Sequence, residues 1–351
     1  MDNNKTQPAA GIGTDTATAH TARLMSAEIA SLWMTYAEST MIICVYRHFL
    51  ANADDPDIKV VLEADAEILR QRIAWIEETF RREGLPIPTG YTAEDVVAGA
   101  PRLYSDPFYL YYVINKARIA VTLNGLSLTT AARRDVRDFY EQCCRSTAST
   151  FQKAADVLQS KGVFIRTPYI TVEKEIDFVK KHRFMAGFLG EKRPMLAQEI
   201  SAFGYGVIIN KFGGGFIAGL RQTVRNDQVG EYLDEGVELA KSLVRRFSAV
   251  LEQEGIAAPA GPDAGITGST RQPISDKLIM GHLQYMNTAG LLHKNTMQTS
   301  CLRSDLLAVV TKTMGEIALY AKRGLDIMIE NGWMEEPPRT VDRKELAAQL
   351  H

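Results

Sequence analysis

One stretch of this chain is written twice. Residues 133–162, RRDVRDFYEQCCRSTASTFQKAADVLQSKG, end in Lys161-Gly162-Val163 with Pro168 soon after; residues 303–332, RSDLLAVVTKTMGEIALYAKRGLDIMIENG, end in Asn331-Gly332-Trp333 with Pro338 soon after. Asp135 and Asp305, Asp156 and Asp326, and Gly162 and Gly332 are all 170 positions apart. A fixed offset near half the chain length indicates duplication, and a duplicated sequence folds as two similar units. At 351 residues the chain is long for one core, and halving it gives two domains of ordinary size.

The order of elements within one half follows from hydrophobic period and stop signals. Helix 1 is predicted over about Ser26–Asn52, with Ile29, Leu32, Trp33, Tyr36, Ile43 and Leu50 recurring at spacings of three and four. Ser26 reads as its N-cap, with Glu28 at the positive end of the helix dipole. Asp54-Asp55-Pro56 turns into helix 2, which runs to about Arg82 before Gly84 stops it. The next connection, Leu85–Ser105, is long. A helix of about 26 residues is roughly 39 Å long, while some 20 extended residues reach about 66 Å. The connection can therefore cross the bundle and set helix 3 (about Asp106–Ala131) parallel to helix 2, and the short join at Arg134 makes helix 4 antiparallel. A single long crossover in a four-helix bundle is the ferritin-like topology.

The second half repeats the plan, with helices near 197–225, 228–253, 276–302 and 304–331 and a Gly/Pro-rich crossover at 255–274. The expected fold is all-α: two tandem ferritin-like four-helix bundles, each with a long crossover between its helices 2 and 3. The expected boundaries are a disordered tail 1–22, a first bundle 23–170, a linker 171–194, a second bundle 195–338 and a C-terminal tail 339–351. Ile176, Phe178, Phe184, Phe188 and Leu189 are expected to dock the linker on the bundles.

Composition is that of a soluble globular protein: 46% hydrophobic, 23% charged, formal net charge −2. That balance gives no general attraction for nucleic acid or an anionic membrane. The N-terminal stretch lacks the apolar core of a signal peptide. Ala202–Leu220 is apolar, but Asn210 and Lys211 interrupt it, so a buried bundle helix is expected and not a membrane span. Four cysteines without a Cys-x-x-Cys fit a reduced cytosolic compartment and no redox or zinc role.

A ferritin-like bundle raises the question of two metals, usually held by Glu-x-x-His pairs projecting into the core. No Glu in this chain is followed three residues later by His. His282 and His293 are eleven apart, about 16 Å along a helix, and cannot share an ion. No metal or cofactor is expected; the alternative is an iron or manganese site from Glu38, His48 and Glu67. Glu63-Glu67 and Asp234-Glu238 read as solvated acidic faces. Asp156 and Asp326 stand where a helix dipole disfavours an anion, which predicts salt bridges to the crossover arginines Arg102 and Arg271. Asn115, Arg118, Thr122 and Glu141 are the candidate ligand-binding residues, lining a polar seam inside the first bundle with Glu38. Arg118 and Glu141 pairing with each other is the plainer alternative. The glycines of helix 5 (Gly204, Gly206, Gly213, Gly214, Gly215, Gly219) predict close approach of another helix, within the chain or between subunits.

Several stretches together, SAEIASLWMTYAESTMIICVYRHFL, EGLPIPTGYTAEDV, APRLYSD, VLQSKGVFIRTPYI, EIDFVKK and IMIENGWMEEPP, resemble domain-of-unknown-function family 3231. Its members are duplicated proteins found mainly in endospore-forming bacteria. The resemblance implies ferritin-like four-helix bundles and a sporulation or stress setting, in cytosol or forespore. It brings no activity and no catalytic residues. The reading favours a non-enzymatic structural or binding protein, with a homo-oligomer or a helix-mediated protein partner. The alternatives are a metal-dependent oxidoreductase with an atypical site and a small-ligand carrier.

Overall fold

The computed structural model describes residues 22–176, 178–188 and 192–343. The expected N-terminal tail, Leu189 and most of the C-terminal tail lie outside the described residues. Among the described residues are eight α-helices: α1 (Ser26–Asn52), α2 (Pro56–Glu83), α3 (Asp106–Thr130), α4 (Arg134–Ser160), α5 (Ala197–Arg221), α6 (Asp227–Glu252), α7 (Asp276–Ser300) and α8 (Ser304–Glu330). They form two tandem four-helix bundles, α1–α4 and α5–α8. Amphipathic spacing explains each face: α6 buries Val229, Leu233, Ala240, Leu243, Phe247 and Leu251 and leaves Glu231, Asp234, Glu235 and Glu238 exposed.

The first crossover runs the length of α1. Tyr91 N donates to Thr40 Oγ1 at 3.2 Å, Cys44 Sγ to Thr92 O at 3.1 Å, and Asn52 Nδ2 to Ala100 O at 3.2 Å. It delivers α3 to the α1–α2 turn, where Asp106 accepts from the backbone N–H of Asp54 and Asp55 at 2.9 and 2.6 Å. α3 therefore starts where α2 starts and runs parallel to it, the connectivity of ferritin-like bundles.

Each half is closed by the same buried knot. Glu28 is 1% exposed and Glu199 0%. Glu28 accepts from Met25 N, Ala132 N and Arg133 N at 2.8–3.0 Å; Glu199 accepts from Leu196 N, Leu302 N and Arg303 N at 2.9–3.2 Å. The carboxylates thus cap their own helices and staple the turn between the last two helices of the bundle. Ser26, expected as the cap of α1, lies inside the helix, and Met25 takes the cap position with Glu28 bonded back to it. Arg133 then pairs with Asp135 and Glu83, as Arg303 pairs with Asp305 and Glu254.

The two crossovers join the bundles. Val97 N donates to Pro273 O at 2.9 Å, Ser275 N to Asp95 O at 2.8 Å and Ser105 N to Ala264 O at 2.9 Å, with an antiparallel bridge between Val96 and Ile274. Beneath them Tyr104 donates to Phe216 O at 2.5 Å. A Cβ on Gly206 would stand 2.9 Å from the Phe247 ring, and one on Gly213 or Gly214 3.2 Å from Met286 or Ala240. A Cβ on Gly219 would strike the Tyr104 ring, so the glycines of α5 do admit close neighbours. The linker departs from expectation. Ile176, Phe178 and Phe188 are 91%, 78% and 70% exposed, and Phe184 is half-buried under the Arg193 guanidinium.

The expected salt bridges to the crossover are also absent. Asp156 is exposed and Asp326 pairs with Lys322 four residues back at 2.7 Å. Arg102 instead binds Asp54 and Asp106, and Arg271 donates to the carbonyls of Ala98 and Gly99. Among the described residues no helix is long and apolar enough to cross a membrane.

Candidate functional site

The interior of the first bundle is filled by three groups of hydrogen-bonded polar side chains. Asp65, on α2, accepts from Lys116 Nζ at 2.6 Å, Tyr46 Oη at 2.7 Å and Thr150 Oγ1 at 3.1 Å. Lys116 and Asp65 side chains are 3% and 2% exposed. Burial alone would raise the Asp65 carboxyl, but the Lys116 ammonium and these hydrogen bonds outweigh it and hold it below the usual range. Two turns along, Arg72 donates to Cys143 O, Ser146 Oγ and Thr147 Oγ1 at 2.7–3.0 Å, and Asn124 Nδ2 reaches Thr147 Oγ1 at 3.3 Å. Glu38 accepts from Tyr285 Oη of the second bundle at 2.8 Å, and enclosure raises its carboxyl.

The repeat offset of 170 or 171 carries seven of these positions to residues of a different kind in the second bundle. Glu38, Tyr46, Asp65 and Arg72 become Ile209, Ile217, Gly236 and Leu243; Lys116, Thr147 and Thr150 become Met286, Ile317 and Tyr320. The polar network is gone. In its place is a cavity of about 740 Å³, and all seven of these counterparts line it. Two of them explain each other: Tyr320 packs so close to Gly236 that a Cβ there would strike its hydroxyl. Its ring stacks on Tyr232 at 4.2 Å, and each tyrosine hydroxyl donates to the other's backbone carbonyl, at 3.0 and 3.1 Å.

The cavity is apolar along its length and polar at its α3–α5–α7 end. There Arg118 lies over the rings of Phe151 (5.3 Å) and Tyr205 (4.8 Å), and Tyr205 meets the His293 ring edge-on at 4.9 Å. His293 Nδ1 is 3.2 Å from Lys294 Nζ, which also sits 4.8 Å from the Phe247 ring centre. Lys294 is wholly buried. Burial lowers its ammonium to about 7, and burial followed by the neighbouring Lys294 and Arg118 charges lowers His293 well below its usual value. Thr122, Ser201 and Thr299, exposed to solvent, form the rim.

Asn115, Arg118 and Thr122 stand on this wall, between the bundles and not inside the first one. The Asn115 Oδ1 atom is buried without a partner, while its Nδ2 donates to Tyr111 O at 2.8 Å. Glu141 does not join them: it lies on the outer face of α4, paired with Arg145 at 2.6 Å. The sequence reading missed Lys294, His293 and Tyr205 at this end. The signal available for Lys294 was a lysine on the inner face of α7, at the position where α3 has Asn124.

Glu38, His48 and Glu67 do not converge. Glu67 is exposed and paired with Arg70 at 3.1 Å, and His48 is buried beside Asn52 with its Nε2 unpartnered. Lys116 and Arg72 place two fixed cations inside the first bundle, and among the described residues no three His, Cys, Asp or Glu side chains gather at ligating range. These residues do not fit an iron or manganese pair.

A family model described as "Protein of unknown function (DUF3231)" matches the sequence twice, over residues 13–176 and 183–346. No curated protein matches it. Among solved structures, that of a candidate spore coat protein from Bacillus halodurans C-125 aligns with 44% of this chain and 99% of its own, at 19% identity and a TM-score of 0.40.

Proposed function

The chain belongs to the DUF3231 family of proteins of unknown function, in two consecutive copies, and from that premise we propose a division of labour between the copies. The first bundle is a closed scaffold. The second is a receptacle for a small, largely apolar molecule, which makes the protein a carrier or sensor with no reaction of its own. The observation that supports this reading is the replacement of the whole Asp65–Lys116 network by residues that bound a cavity of about 740 Å³. Cavities of roughly 300–1,000 Å³ lined mainly by apolar side chains are the usual form of small-molecule sites. Following the family's distribution, we place this role in a sporulating or stressed cell.

Calorimetric titration of the full chain with 1-decanol tests the reading. Saturable binding of one molecule per chain is expected. Gly290, whose added Cβ would sit 3.6 Å from Ile317 with room beyond, provides the control: Gly290→Leu fills the cavity and should abolish binding while leaving the helical circular dichroism unchanged. Absence of binding to the parent protein, or equal binding to the variant, counts against a receptacle.

A further inference from the structure

The chemistry of the cavity's polar end narrows the ligand class, an inference that rests on the receptacle reading. We propose that the cavity holds a fatty-acid-like amphiphile whose single carboxylate pairs with Lys294 while its chain lies against Ile209, Leu243 and Ile317. The first argument is charge. Arg118 and Lys294 line the cavity, no Asp or Glu does, and among the described residues neither cation has a carboxylate partner. The second is position. Lys294 stands on the cavity wall with its ammonium enclosed by the Phe247 face and one nitrogen of His293, so a carboxylate arriving from the cavity pairs with it by displacing the His293 ring.

A buried cation with no anion costs several kcal/mol, and the fold has an evident way to avoid it. At the equivalent place in the first bundle Asn124 is neutral and bonded to Thr147. A carboxylate entering the second bundle would supply the missing partner. The charged and titratable groups facing Lys294 are His293 on its own helix, Arg118 from α3 and Tyr205 from α5; α6 presents the Phe247 ring, and α8 contributes Ile317 and Tyr320 but no charge. An anion is therefore favoured over a cation of the same shape. One carboxylate matches the one buried ammonium, because Arg118 is already held between two aromatic rings.

Calorimetry with decanoate and 1-decanol, which share a chain and differ in the head group, separates this inference from the reading beneath it. At pH 6.5 the parent protein should bind decanoate at least about tenfold more tightly than decanol, a difference of about 1.4 kcal/mol. Lys294→Met should keep decanol binding and lose the advantage of decanoate. At pH 8, where Lys294 is largely neutral in the free protein, decanoate binding should take up close to one proton, read from buffers of different ionisation enthalpy, and decanol none. Equal binding of the two ligands to the parent, or an advantage that persists in Lys294→Met, overturns the carboxylate assignment and leaves the receptacle standing. Failure of both ligands to bind brings down the receptacle itself, and this inference with it. Should the variant not fold, the proton measurement decides alone: decanoate binding without uptake at pH 8 contradicts the pairing with Lys294.

Discussion

Tyr112 and His282 are the same position of the repeated unit, 170 residues apart, and their side chains share a hydrogen bond of 2.7 Å between the bundles. Equivalent residues that meet lie on a pseudo-twofold axis, so the halves pack as the subunits of a symmetric dimer do. The other imidazole nitrogen, His282 Nδ1, is buried without a partner. Tyr112→Phe leaves Nε2 in the same condition, and the expected loss is about 1–3 kcal/mol of unfolding free energy in urea. A loss below about 0.5 kcal/mol contradicts a structural role for the pair.

Acid should weaken the fold through two buried imidazoles, one of them at this interface. Burial lowers His282 to about 3 and His48 to about 4 from an ordinary 6.5. Both are neutral in the folded chain and take up protons readily only when unfolded. Their contribution is therefore complete above pH 6.5 and is lost as pH falls toward 4, by up to roughly 1.4 kcal/mol per pH unit for each ring. A denaturation midpoint that is flat between pH 6.5 and 4.5 would show that these imidazoles are solvated.

Inside the first bundle, Asp65→Asn removes the charge opposite Lys116 and leaves an uncompensated buried ammonium, an expected loss of about 3–5 kcal/mol. The second bundle already tolerates Gly236 and Met286 at these positions. The double variant Asp65→Leu/Lys116→Met should accordingly recover most of that loss. Chemical denaturation of parent, single and double variants completes the cycle; a double variant no better than Asp65→Asn refutes the idea that the network is a replaceable filling.

The sequence announced the frame because its punctuation repeats. Gly84 and Gly255 close α2 and α6 with φ of 67° and 72°, and Gly162 and Gly332 close α4 and α8 with 69° and 67°, a left-handed geometry that favours glycine. Glu28 and Glu199 were legible as first-turn acids, but their burial depends on turns more than 100 residues away. Glu141 was misplaced because α4 turns Tyr140, Cys143 and Thr147 inward, and the next residue after Tyr140 is rotated about 100° from that face. The cavity was not legible at all. Gly236, Met286 and Ile317 read as ordinary core residues, and only the volume they fail to fill distinguishes them from one.

Lys294 should leave its own mark on the alkaline side. Its ammonium is lowered to about 7 from 10.5, so between those values the unfolded chain binds the extra proton and stability rises with pH. Lys294→Met removes that slope and should stabilise the empty protein at pH 7 by several kcal/mol, with roughly 5 kcal/mol as the upper bound. Urea unfolding of both proteins at pH 7 and pH 9.5 reads the effect, and parallel pH dependences would show the ammonium to be hydrated.

The central claim is that one copy of the bundle is filled and the other hollow. Xenon enters dry apolar cavities and is excluded from satisfied polar networks, so diffraction from a crystal held under xenon pressure tests it directly. The account predicts xenon density in the second bundle among Gly236, Met286 and Ile317, and none between Asp65 and Lys116 in the first. A second bundle without xenon, or equal occupancy in both, would contradict it.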